Sequence, residues 1–453
     1  MLVRLRPLAS RLRASILMKG AVVALSARIY GAAVQYLTQM YLAREIGTEQ
    51  LGIYVFAWTW MVVLSFLTPL GFDTSLVRFV ASYQNAGDWA RVRGVLRTGH
   101  RVAIVASLAA LGLGVLVVSV RDPAFEHPYT TPVLTTLTLV PVVALSNLYE
   151  GIARGFRWLH QVAVPSFALR PSLFLLFAAV AILLLNARTG QAMTIAGAAA
   201  VGLTLLLQAI AYRRSLAPHR TVLPDRAERS LWLRTSIPLM LVTSFELLLS
   251  YTDIVMLGVL RGPEDVAVYN IAVRTGTTLL FIMYAAEGFC ASKIAELHSS
   301  GRDGEVVDLA RRMRTWVVLP TLLGAVVLVL FGRWLLAWFG PEFPAAYPPM
   351  LVLIVGIVFR AAAGPMAVLL TMTGRERVLA VALAGSTVLN LVGNALLIPR
   401  LGTHGAAIAT TVSVIVDVSM MAVIAGRQLG FLPLLLLPLR GSHSVSDGSS
   451  PAD

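Results

Sequence analysis

The chain has 453 residues, of which 57% are hydrophobic and 13% charged, with a mean hydropathy of +0.77. A water-soluble protein of this size cannot cover its surface with so few charges, whereas apolar stretches of about 20 residues are what helices need to cross a bilayer. The stretches lack the alternation of a membrane β-barrel. The formal charge of +14 sits in short loops between them, which speaks for membrane topology and against a nucleic-acid partner.

The N-terminal segment 1–16 is basic and read as cytoplasmic. The apolar run after it is too long for a signal-peptide core, so it is taken as an uncleaved first span. Twelve spans are predicted near 17–43, 49–71, 100–120, 131–153, 161–186, 191–212, 235–260, 266–290, 315–339, 347–372, 377–398 and 404–426. The fold class is therefore an all-α polytopic membrane protein. The single cysteine, Cys290, lies in an apolar stretch and reads as a small packing residue. The tail 427–453 is read as cytoplasmic, and its Ser- and Gly-rich end from Gly441 to Asp453 as disordered. Segments 78–97 and 293–314 are amphipathic and are expected on the membrane surface.

Loop charges test this count. Alternate loops, together with both termini, hold 27 of the 37 basic residues; the opposite loops hold six, and four lie inside spans. That asymmetry places both termini in the cytoplasm of a multi-pass membrane protein.

The two halves resemble each other at an offset of 215 residues: Tyr36 with Tyr251, Leu42 with Leu257, Glu49 with Glu264, Tyr54 with Tyr269, Ala57 with Ala272, Leu64 with Leu279 and Phe66 with Phe281. Six spans separate equivalent positions, so the repeats run parallel. Two lobes, 17–212 and 235–426, joined by a basic cytoplasmic linker at 213–234, are expected.

Ionisable residues inside spans are costly and usually face a cavity or a partner. Arg28, Gly31, Gln35 and Thr38 share one face of the first span; Thr243, Glu246, Ser250 and Asp253 share the equivalent face of the seventh. Asn270, Arg274 and Thr277 form a stripe in the eighth, and Gly356, Arg360 and Gly364 one in the tenth. Arg170 sits in the fifth beside Pro171, and Asn390 and Asn394 form a polar pair in the eleventh. Arg28, Arg274, Arg170 and Arg360, with Gln35 and Asn270, are candidate ligands for an anionic substrate, because a guanidinium pairs with phosphate at two points and stays charged. The alternative is ion pairing between helices, such as Arg274 with Asp253 or Glu246. Glu246 and Asp253 are candidate ion-coupling sites. Glu287 and Asp417 are read as structural partners. No phosphate loop, metal-ligand spacing or cofactor motif is present, so the chain reads as a transporter and not an enzyme.

Several segments carry a family resemblance. They are Leu42-Ala43-Arg44-Glu45-Ile46-Gly47, Leu51-Gly52-Ile53-Tyr54, Leu70-Gly71-Phe72 with Arg78, Thr373-Gly374-Arg375, and Leu401-Gly402-Thr403-His404-Gly405-Ala406-Ala407-Ile408-Ala409-Thr410. With Asn390 and Asn394, they make residues 15–430 resemble Wzx-type oligosaccharide-lipid flippases of the multidrug/oligosaccharidyl-lipid/polysaccharide exporter superfamily. The resemblance implies two six-helix lobes, as in multidrug exporters of that superfamily, around a cavity open to one side at a time. It implies an undecaprenyl-pyrophosphate-linked oligosaccharide as cargo, for O-antigen or exopolysaccharide synthesis. It also implies membrane lipids as neighbours, with a polysaccharide polymerase and assembly proteins as partners. Related peptidoglycan-precursor flippases carry cavity arginines on spans one and eight, where Arg28 and Arg274 stand here. A cation-coupled drug or metabolite exporter is the alternative reading, and a non-transporting scaffold a third.

Overall fold

Lipid offers no water to a peptide group, so each apolar stretch satisfies its own backbone as a helix. The computed structural model of the chain describes residues 6–122, 124, 127–219, 221–225, 227–429, 431–432 and 437–438. The tail from Gly441 to Asp453, expected to be disordered, lies outside the described residues.

In chain order the helices are α1 (Arg6–Leu67), α2 (Phe72–Asn85), α3 (Trp89–Arg121), α4 (Thr130–Gly155), α5 (Leu159–Ala163), α6 (Arg170–Leu183) and α7 (Gly190–Ser215), then α8 (Arg229–Leu260), α9 (Pro263–Thr277), α10 (Leu280–Ser299), α11 (Asp303–Ala337), α12 (Tyr347–Ala363), α13 (Met366–Met372), α14 (Glu376–Leu401) and α15 (Thr403–Leu429). A two-residue strand pair, β1 (Phe431–Leu432) with β2 (Leu437–Pro438), follows.

Among the described residues ten helical runs are long and apolar enough to cross a membrane, and the bent pair of α9 and α10 makes an eleventh. The first run holds two crossings. A straight 62-residue α1 would extend about 93 Å, roughly three times the hydrocarbon thickness. It is instead broken at Gly47, with φ 74° and ψ 175°. The seventh and eighth spans are separated at Gly262, with φ 140°. Both angles favour glycine, and the two glycines stand at the same offset of 215 residues that relates the halves. The chain thus makes twelve crossings in two lobes of six, α1 to α7 and α8 to α15.

Loops assigned to one side meet each other. Arg44 Nε donates to the Trp338 carbonyl at 2.5 Å, Thr48 bonds Glu342, and the Gly190 amide donates to Gln50 at 2.9 Å. At the other end Tyr83 bonds Glu228, the Asp225 amide donates to Ala90 at 3.0 Å, and Gln161 donates to Ser215 at 3.1 Å. No bond in these sets joins the highly basic loops to the weakly basic ones.

The amphipathic segments differ from expectation. Phe72, Leu76, Phe79 and Val80 of α2 are buried with Val92, Val95, Leu148 and Trp232. Ile294, Leu297, Val306 and Ala310 are buried with Leu369, Leu370 and Ala382. Their apolar faces therefore close on neighbouring helices and not on lipid.

Three spans are interrupted. The fifth contains a π-helical turn, Val164–Leu169, beginning beside Pro165, whose missing N–H loosens the ladder. The eighth bends by 48° between Thr277 and Leu280. The tenth breaks at Gly364, φ 88°, before Pro365.

Candidate functional site at the lobe interface

One of the buried apolar clusters that join the two lobes lies on the first, second, seventh and eighth spans. It takes Leu42, Ile46, Leu51 and Tyr54 from the first two spans, and Leu257, Val266, Tyr269, Leu336, Phe339 and Phe343 from the second lobe. This seal lies at the end carrying the weakly basic loops. Deeper in, Asn270 Nδ2 donates to Gln39 Oε1 at 3.2 Å, and Tyr36 Oη lies 3.3 Å from Thr275 Oγ1. Tyr36 also meets Phe339 edge-on, with centroids 5.3 Å apart. Towards the strongly basic end this contact gives way to a cavity between the first and eighth spans, lined by Gln35 and Leu37 on one side and Phe281 on the other.

Arg274 stands at the transition from closed to open. It lines a cavity of about 430 Å³ together with Gln35, Tyr36, Leu37, Thr277 and Phe281. One guanidinium nitrogen lies 3.5 Å from Gln35 Oε1, a loose contact, and its Nε is buried with no hydrogen-bond partner. Tyr54 and Tyr251, on the other spans meeting here, are within electrostatic range of it. Among the described residues no carboxylate forms a salt bridge with Arg274. An unneutralised guanidinium at membrane depth is unfavourable and is suited to accept an anion.

Arg28 is also without a salt bridge among the described residues. Its guanidinium carbon lies 5.0 Å from the centre of the Phe167 ring, a cation–π contact to the fifth span. Seven residues separate Arg28 from Gln35, which is about 10 Å along a helix. Arg28 therefore stands at the open end, one step removed from Arg274. Gly31, between them, allows the first span to close on the π-helical turn; a Cβ there would lie 1.9 Å from the Phe167 carbonyl oxygen.

Arg170 lies elsewhere, between spans four, five and six. It donates to Ser146 Oγ at 2.7 Å and sits 3.7 Å from Glu150 Oε1. Ser166 bonds the same carboxylate oxygen, and Ser146 donates to Gln208 Oε1 at 2.6 Å. The geometry is that of an ion pair within one lobe. Glu150 is a residue the sequence reading passed over, although it falls inside the fourth predicted span. Arg360 is placed in the second lobe, within electrostatic range of Glu246, Glu287 and Asp417. Asp417 accepts from Ser386 at 3.3 Å. Here three acidic groups surround one basic group.

Asp253 and Glu246 occupy different surroundings, although they share a helix face. Asp253 is 3% exposed. Tyr269 donates to its Oδ2 at 2.5 Å and Thr410 to the same oxygen at 3.4 Å. Asn390 Nδ2 donates to Thr410 Oγ1 at 3.2 Å, and Asn394 Nδ2 to Asn390 Oδ1 at 3.0 Å. Asn394 Oδ1 is buried with no partner. Asp253 thus heads a buried hydrogen-bonded chain that runs through Tyr269 and Thr410 to Asn390 and Asn394, linking spans seven, eight, eleven and twelve. Tyr269 and Thr410 were not singled out in the sequence, though Tyr269 is one of the repeat-matched tyrosines.

Comparison with known proteins follows the same lines. Residues 17–287 match the family model described as "Polysaccharide biosynthesis protein", and residues 238–396 match the MatE model. Stage V sporulation protein B of Bacillus subtilis (strain 168) is 23% identical over 149 residues, which is 32% of this chain and 29% of that protein's length. Among solved structures, an inward-facing conformation of a multidrug resistance MATE family transporter of the MOP superfamily superposes with a TM-score of 0.73 at 14% identity, covering 90% of this chain and 98% of that one. A MOP superfamily transporter from Pyrococcus furiosus, described as having a binding pocket of reverse polarity, gives 0.63 at 14% identity, over 91% and 95% of the two chains. At these identities the structural likeness concerns the fold.

Proposed function

The chain belongs to the polysaccharide biosynthesis protein family and is a multi-pass transporter of the MOP superfamily, and on that premise we propose that it is a flippase for a polyprenyl-pyrophosphate-linked oligosaccharide. In this reading it moves the lipid-linked sugar across a bacterial inner membrane by alternating access, in the synthesis of a surface polysaccharide. Both termini and the 213–234 linker face the cytoplasm, and the lobes 17–212 and 235–426 rock about the seal at Leu42, Leu257 and Phe339. The present conformation is then open to the cytoplasm.

The observation that carries the proposal is Arg274: a guanidinium at membrane depth, on a cavity between the lobes, with a buried Nε lacking a partner and no salt bridge among the described residues. A diphosphate leaving water faces a large desolvation cost, which charge-assisted bonds to a fixed guanidinium offset. Arg28 at the open end receives the headgroup first, and Arg274 holds it as the lobes close. Gln35 and Asn270 line the path beside it. Arg170, held by Glu150, has a structural part in this scheme, and Arg360 belongs with the acidic groups of the second lobe. The Asp253 cluster serves as the coupling site, where a bound cation or proton biases one orientation of the lobes.

The same cluster, and the MatE match over residues 238–396, favour a second reading as a cation-coupled exporter of drugs or metabolites. Reconstitution separates the two. Proteoliposomes holding the full chain are given a fluorescent polyprenyl-diphosphate oligosaccharide in one leaflet, or a cationic dye in the lumen. Protein-dependent loss of leaflet asymmetry supports the flippase; dye efflux with an unmoved lipid overturns it.

A further inference from the structure

Two adjoining pockets lie on the flank of the first lobe, away from the lobe interface. The first, about 440 Å³, is lined by Arg93, Arg97 and His100 of α3, Tyr212 and Arg213 of α7, and Pro224. The second, about 280 Å³, runs between α4, the π-helical turn and α7, past Ile152, Trp158, Val164, Leu169, Leu207 and Ala211. Tyr212 lines both. It packs with Tyr149 and His100 in an aromatic group whose centroids lie 4.8 to 5.5 Å apart, as ring side chains do where a membrane meets water.

The polarity of the two pockets is unlike. Arg97 and Arg213 converge on the first beside Arg93, whose Nη1 donates to the Val222 carbonyl, and no carboxylate is among its lining residues. The acids of this neighbourhood turn instead to Arg91, which lies 3.4 Å from Asp88, 3.5 Å from Glu228 and 4.0 Å from Asp225. The second pocket is apolar apart from a few groups. One of them, Gln208, is 5% exposed and keeps its Nε2 buried without a partner on the pocket wall. A ligand that satisfies both pockets carries a phosphate at one end, a polar group that can accept from Gln208, and a hydrocarbon chain.

We propose that the paired pockets bind a phosphate-bearing lipid, its headgroup among Arg93, Arg97 and Arg213, its ester carbonyl near Gln208 and its chain along the π-helical turn. Arginine clusters at the level of the headgroups attract anionic lipids, and each charge contributes about 1 kcal/mol. The occupant is an anionic phospholipid of that leaflet, because a polyprenyl diphosphate carries no ester carbonyl to accept from Gln208. The site is separate from the Arg274 cavity and does not depend on what the transporter carries.

The test uses the purified full chain and native mass spectrometry with titrated phosphatidylglycerol, phosphatidylethanolamine and polyprenyl diphosphate. Phosphatidylglycerol is expected to bind more tightly than phosphatidylethanolamine. Arg97→Gln with Arg213→Gln should weaken it by about thirtyfold, and Arg97→Lys with Arg213→Lys should keep most of the affinity while reporting that the fold is intact. Ala211→Trp fills the apolar pocket and should expel the lipid with the arginines in place. Resistance of bound phosphatidylglycerol to displacement by polyprenyl diphosphate supports the phospholipid site; ready displacement overturns it. Equal binding of the two phospholipids, or a glutamine variant within about threefold of wild type, overturns it. Loss of transport in reconstitution bears only on the flippase reading, because this measurement needs no transport.

Discussion

The amide of Asn270 donates to Gln39 across the lobe interface at 3.2 Å, and both residues are buried. The bond lies one helical turn from Arg274, between the cavity and the sealed end. It is one of the few polar links that hold the lobes together.

Asn270→Ala leaves the Gln39 carbonyl buried and unpaired, at a cost of about 1–3 kcal/mol to the sealed state. Spin labels at Glu49 and Glu264, on the turns of the sealed end, report the result. The alanine variant should show a larger population at long distance, and Gln39→Leu combined with Asn270→Leu should return most of it. An unchanged distance distribution in Asn270→Ala would show that the seal does not depend on this bond.

Gly31 meets backbone and not a pliable side chain. A methyl there would come within 1.9 Å of the Phe167 carbonyl, so Gly31→Ala must push the first span off the fifth. An overpacking penalty of about 1–3 kcal/mol is expected, seen as lower membrane accumulation and a lower unfolding temperature in detergent. Wild-type values for Gly31→Ala would mean that the two spans do not pack this closely.

Asp253 and Glu246 should separate in a coupling assay. Asp253→Asn removes the charge from the buried hydrogen-bonded chain, and Tyr269→Phe removes one of its bonds. Both should flatten the dependence of transport on the cation or proton gradient. Glu246→Gln, outside the cluster, should retain that dependence. A gradient response that survives in Asp253→Asn and disappears in Glu246→Gln would move the coupling site to the acidic group around Arg360.

The sequence made the spans and their grouping into two lobes legible because both follow from apolar length and the internal repeat. Spacing placed Arg274 and Asp253 on inward faces for the same reason: helix periodicity is local. Partners are not local. The neighbour of Arg170 is Glu150, one span earlier, and that of Asp253 is Thr410, five spans later. The interruptions also escaped the pattern, although Pro165 and the Gly364-Pro365 pair mark two of them. A hydropathy window averages across a break, while the π-helical turn depends on how Gly31 docks against it. The amphipathic stretches showed a buried face without showing whether lipid or protein covers it.

Arg170 and Arg274 should respond differently to substitution. Arg170→Ala strands Glu150 in a partly buried network, which costs about 1–3 kcal/mol. The variant should fail to accumulate, and Arg170→Met with Glu150→Leu should recover much of the loss. Accumulation is read by quantitative membrane blotting. Normal levels of Arg170→Ala with loss of transport would instead give this residue a part in handling the substrate.

The most direct measurement is flipping of a fluorescent polyprenyl-diphosphate oligosaccharide by Arg274→Ala and Arg274→Lys in proteoliposomes, at matched protein content. Arg274 has no salt bridge among the described residues to lose, so both variants are expected to accumulate and fold as the parent does. Alanine should abolish flipping, and lysine, which keeps the charge without the two-point geometry, should leave it partial. Wild-type flipping by Arg274→Ala would contradict the account. So would an alanine variant that fails to accumulate until Glu246 or Asp253 is also neutralised, because the arginine would then be a helix-pairing charge and not the ligand of the diphosphate.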